Sequence, residues 1–81
     1  MASERVEFLG TRAELRARKQ EIIREIGDIG TKIRLFLNPA KDAAELPGDK
    51  ILDAAIALNE YIIQVREIDE KINKLNEVLG V

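Results

Sequence analysis

Apolar residues in the first half of the chain return at a fixed interval. Phe8, Leu15, Ile22, Ile29 and Phe36 stand seven apart, and Ile26 and Ile33 fill the alternate position between them. In the second half, Ile51, Ala54, Leu58, Tyr61, Val65, Ile68, Ile72, Leu75 and Leu79 alternate by three and four without a break. Side chains at this spacing line up along one edge of an α-helix, and two such edges interlock as a coiled-coil seam. The pattern therefore predicts two long amphipathic helices, each roughly 45–50 Å long at about 1.5 Å per residue.

Helix-breaking residues cluster between the two periodic segments. Asn38-Pro39 and Leu46-Pro47-Gly48-Asp49 bracket the short segment from Ala40 to Glu45. Proline disfavours helix at the residue before it, so the first helix is expected to cover about 4–37. Asp49 is a good N-cap residue, which sets the second helix at about 50–79 after a loop over 38–49. Residues 40–45 have room for one helical turn. Gly80 stands where a left-handed C-terminal glycine belongs. A competing start for the first helix lies at Gly10, which precedes a capping-box pattern at Thr11-Arg12-Ala13-Glu14. The link is short enough for the helices to fold back on each other, giving an all-α antiparallel hairpin as a single domain over 1–81.

One seam per helix would satisfy an isolated hairpin, yet both helices carry more. The second adds Leu52, Ala55, Ile56, Ile62 and Ile63, and the first adds Ile23 and Leu37. A helix that is apolar on two sides is expected to be buried on two sides. In an antiparallel hairpin these extra residues meet toward the loop. A second hairpin packed there would give a homodimeric four-helix bundle, with Ile23, Leu37, Leu52, Ile56 and Ile63 as its surface. The competing reading folds residues 39–48 over the same stripe within one chain. A different protein partner is the third reading. Gly27 and Gly30 interrupt the first helix, each at a cost of about 1 kcal/mol relative to alanine, and imply a close helix approach or a bend.

Toward the N-terminus the seam becomes polar. Arg5, Arg12 and Lys19 occupy the positions that Ile26 and Ile33 fill later, opposite Glu67, Asp69, Glu70 and Glu77. Cross-helix ion pairs are expected, and these fix orientation more than they add stability. Arg12, Arg16, Arg18, Lys19 and Arg24 form a basic run that could contact nucleic-acid phosphates as a hairpin dimer. However, Glu14, Glu21 and Glu25 are interleaved with it and no aromatic residue accompanies it for base stacking. A solvated, ion-paired face is the favoured reading.

Composition narrows the functions further. The 81 residues contain no Cys and no His, which excludes disulfides and thiolate or imidazole zinc sites. Few residues capable of acid, base or nucleophilic work remain, and none forms a recognisable set. Asp69 and Glu70 diverge around a helix, Glu67 and Glu70 lack the histidines of a bundle metal site, and Tyr61 falls on the seam. No catalytic, cofactor-binding or metal-ligating residues are therefore expected. The net charge of -2 does not favour duplex nucleic acid. No apolar run is long enough to span a membrane, and the first residues lack the apolar stretch of a signal peptide, so a cytoplasmic location is expected. A core this small gains much from self-association.

Two segments carry a resemblance. Arg12-Ala13-Glu14-Leu15-Arg16-Ala17-Arg18-Lys19 and Ile33-Arg34-Leu35-Phe36-Leu37-Asn38-Pro39 resemble small two-helix proteins of Mu-like transposable phages and prophages. The resemblance covers most of the chain in layout, implies the helix–loop–helix fold and implies no activity. A comparison with the helical-hairpin sporulation phosphatases fails at their Ser-x-x-x-Asp motif. The corresponding stretch here is Ala55-Ile56-Ala57-Leu58-Asn59, which lacks both signature residues. The sequence thus points to a non-enzymatic interaction module, structural or regulatory, that works through self-association and protein–protein contacts.

Overall fold

The computed structural model describes residues 2–81, with side chains from Glu4 onward. Two helices, α1 (Ala2–Phe36) and α2 (Gly48–Leu79), flank a 3₁₀ turn at Ala43–Glu45. No strand occurs among the described residues. The helices lie side by side and antiparallel in a rod 63 Å long and 16 × 14 Å across.

The α1 helix runs unbroken through Gly10, so the capping-box start at Thr11 is not used. Tertiary contact holds the first turns in place. Phe8 is half-buried on the seam, and the Arg5 guanidinium donates to the carbonyl of Leu79 at 3.2 Å, a buried residue at the far end of α2. The helix also continues through Gly27 and Gly30, and its last bond runs from the Leu37 amide to the carbonyl of Ile33. The helix begins at Ala2, two residues ahead of the expected start after Ser3.

The link is built from local hydrogen bonds. Asn38 Oδ1 accepts from the Ala40 amide at 3.0 Å. Asp42 caps the 3₁₀ turn by accepting from the Ala44 amide, so the turn anticipated within 40–45 does form. The second helix starts two residues ahead of expectation. The Ile51 amide bonds to the carbonyl of Pro47, which makes Pro47 the cap and leaves Asp49 inside the first turn. Proline is tolerated here because its missing N–H would have no partner within the helix, and its φ of −79° and ψ of 75° make a tight turn in which the Gly48 amide bonds to the carbonyl of Leu46. At the other end Gly80 has φ 75°, a left-handed conformation that glycine adopts without strain, and α2 closes through the amides of Gly80 and Val81.

Burial is uneven along the rod. The buried apolar side chains are Ile22, Ile29, Ile68, Ile72 and Leu79. Ile22, only 1% exposed, sits with Ile68 and Ile72, and Leu15, Ile26, Tyr61 and Val65 pack around them. Beyond Ile29 on α1 and before Ile68 on α2, no described side chain is fully buried. The seam residues there, Ile33, Phe36, Ile51, Ala54 and Leu58, are half-buried at best. The loop end of the rod, beyond Ile29, therefore has an apolar seam without enough protein around it to close it off. The whole chain exposes 6194 Å² of surface, about a quarter more than the roughly 4900 Å² expected of a compact monomer of this mass.

Candidate functional site

Two cross-helix contacts fix the register of the hairpin. Arg12 Nη1 donates to Asn76 Oδ1 at 2.9 Å, and Lys19 Nζ lies 2.6 Å from Asp69 Oδ1. Seven residues forward on α1 are seven residues back on α2. Continuing the step sets Ile26 level with Ile62 and Ile33 level with Ala55. These contacts also define a side of the rod, here termed the front. Asp69 and Asn76 lie seven apart on one line of α2, and the same line runs back through Ile62 to Ala55. The matching flank of α1 carries Arg16, Ile23, Gly30 and Leu37, again seven apart.

The off-seam apolar residues of both helices therefore converge. Ile23, Gly27, Gly30 and Leu37 form the front of α1 in the loop half. Leu52, Ala55, Ile62 and, turning toward the outer edge, Ile56 and Ile63 cover the front of α2 at the same level. These side chains are open to solvent: Leu52 is 61% exposed, Ile56 50%, Leu37 50%, Ile63 44% and Ile23 41%. Ile62 is half-buried. The reading in which residues 39–48 fold over this stripe is overturned, because the link stays at the end of the rod and Leu52, Ile56 and Ile63 remain exposed. Leu35, at 71%, is exposed too, but it lies on the opposite side, apart from the patch.

The glycines belong to this surface. A Cβ placed on Gly27 or Gly30 would meet nothing within 4 Å beyond the helix itself, so contact with α2 is not what requires them. They form a shallow notch in the front of α1 between Ile23 and Leu37. The Thr31 hydroxyl donates to the carbonyl of Gly27 at 3.1 Å, at the edge of the notch.

The back of the rod carries one polar and one apolar groove. Beside Tyr61 and Ile22 runs an open groove of about 510 Å³, whose rim includes Arg18, Glu21, Glu25 and Asp28. A second groove, about 390 Å³, has Leu15 and Leu75 in its floor and Lys71 and Lys74 on its rim. No group of three metal-ligating side chains occurs among the described residues.

The five basic residues of the Arg12–Arg24 run do not share a surface. Arg12 and Lys19 are half-buried in the seam and bonded across it to Asn76 and Asp69. Arg18 turns to the back, where it pairs with Glu21 at 3.3 Å. Arg16 lies on the front, and Arg24, on the outer edge of α1, lines the back groove with Arg18. Of the acids expected to face the basic seam residues, Asp69 does so in an ion pair, while Asn76, a neutral residue, serves Arg12. Tyr61 packs against the core cluster, as its place on the seam implies. Among the described residues no helix is long and apolar enough to cross a membrane.

Comparison with protein-family models, curated proteins and solved structures returns no match. The physical case for function therefore rests on the one-sided apolar surface of the loop half.

Proposed function

We propose that this protein is a non-enzymatic helical interaction module that works by laying the front of its loop half against another helical surface, first of all that of a second copy of itself. The observation that carries this reading is the convergence of Leu52 with Ile23 and Leu37 on the front of the rod, continued round the outer edge of α2 by Ile56 and Ile63, all exposed. Contiguous apolar surface of this kind marks an interaction site in a soluble chain, whereas scattered apolar residues do not. The surplus of exposed area supports the same reading. It exceeds the roughly 800 Å² per partner that a stable interface removes from water. The half-buried seam beneath the patch would be closed by the same event.

Sedimentation at micromolar concentration tests the proposal. The expected species has twice the chain mass of 9.1 kDa, and its melting temperature rises with protein concentration, as linkage to self-association requires. Replacing Ile56 and Ile63 with Glu should return the protein to a monomer with its helix content retained, because both side chains are half or nearly half exposed in the single hairpin. A chain that sediments at 9.1 kDa with a concentration-independent melt overturns the reading.

A further inference from the structure

We infer that two copies meet front to front with their long axes parallel and their loops at the same end, so that α1 of each lies on α2 of the other. This rests on the self-association proposed above and adds its geometry. Two arrangements would bury the front patch. In one, the copies run in the same direction and α1 faces the partner's α2. In the other, they run in opposite directions, overlapping only over the loop halves, and α1 faces a second α1. Neighbouring helices are antiparallel in both, so helix dipoles do not separate them.

Shape and charge do separate them. The front of α1 is recessed at Gly27 and Gly30, where an added Cβ would touch nothing. The front and outer edge of α2 are raised by Ile56, Ile62 and Ile63, which the register sets level with Lys32, Ile26 and Glu25, on either side of that notch. Copies running in the same direction keep levels matched, so the raised isoleucines of α2 straddle the recess of α1 and bracket it at both ends. Opposed copies set notch against notch and bulk against bulk. The charges follow the same rule. The front and outer edge of α1 carry Arg16 and Arg34 and no acidic residue, while Arg24, also on the outer edge, lines the groove at the back. The corresponding strips of α2 carry Asp49, Asp69, Glu70 and Glu77 with one cation, Arg66, which stands one helical turn from Glu70. Placing α1 on α2 therefore brings Arg16 beside Asp69 of the partner subunit, whereas α1 on α1 sets cations against cations. Arg34 can lay its stem along the interface with its guanidinium in water.

The native chain has no Cys, so single introduced thiols report geometry cleanly. Arg16 and Asn73 stand one residue apart in level, both on the front. A chain carrying Arg16→Cys is mixed with a size-tagged chain carrying Asn73→Cys under mild oxidation, beside sedimentation and small-angle scattering of the native protein. The expected result is a dimer little longer than the 63 Å of one hairpin, with a mixed disulfide between tagged and untagged chains. A dimer that is about half as long again and gives no mixed disulfide overturns this geometry but leaves self-association standing. A monomer at all accessible concentrations overturns both.

Discussion

The Lys19 ammonium lies 2.6 Å from the Asp69 carboxylate, at a seam position that Ile26 and Ile33 occupy one and two heptads later. Both partners keep partial access to water, with side-chain exposures of 30% and 45%. Such a pair contributes about 0–1 kcal/mol, and salt screens it. Lys19→Ala should therefore lower stability by no more than about 1 kcal/mol in urea unfolding, and less still in high salt. Lys19→Ile should do the opposite, by about 1 kcal/mol, because it extends the apolar seam toward Leu15. A large loss in the isoleucine variant would mean that the ion pair carries more of the fold than its exposure allows.

Ile22 and Ile56 are both isoleucines on long helices, yet they should respond to truncation very differently. Ile22 is 1% exposed and sits in the central cluster, so Ile22→Ala should cost about 2–5 kcal/mol and leave the hairpin partly unfolded at 37 °C. Ile56 is 50% exposed, so Ile56→Ala should leave the unfolding of the single hairpin within about 0.5 kcal/mol of native. Its effect should appear in the dimer dissociation constant. Paired denaturation curves at two protein concentrations separate these effects.

Alanine at Gly27 and Gly30 should act with opposite sign on the two levels of structure. Each substitution should stabilise the single hairpin by up to about 1 kcal/mol, because helix propensity improves and the new Cβ meets no neighbour. The same Cβ atoms fill the notch that a second chain is proposed to enter. The double variant should therefore melt higher at high dilution and bind its copy more weakly. A gain at both concentrations would show that the notch takes no part in association.

The seam and the hairpin were legible in the sequence because aliphatic side chains at three- and four-residue steps leave little choice of period. The off-seam residues were legible one by one. That they share a side of the rod required the register, which Arg12 and Asn76 set. Asn76 gives no such signal, because it is neutral and stands beside acids that are the expected ion-pair partners. The basic run misled for a related reason. Adjacent residues in sequence diverge around a helix, so Arg16 and Arg18 face opposite sides while Lys19 turns inward. Local signals at the helix starts were overridden by chain-wide ones. Thr11 stays inside α1 because Phe8 and Arg5 already engage the end of α2, and Asp49 yields its capping place to Pro47.

The uneven burial along the rod has a bearing on how its backbone breathes. In a lone hairpin the amides of Ile51–Leu58 are backed only by half-buried side chains, while those around Ile68 and Ile72 sit over the closed cluster. Local opening follows such differences in protection, so deuterium should enter the stretch after the turn well before the middle of α2. Occupation of the front by a second chain would shield that stretch and lengthen its exchange times toward those of Ile68 and Ile72. The part of the molecule slackest in isolation would become one of its slower-exchanging regions once two chains are joined.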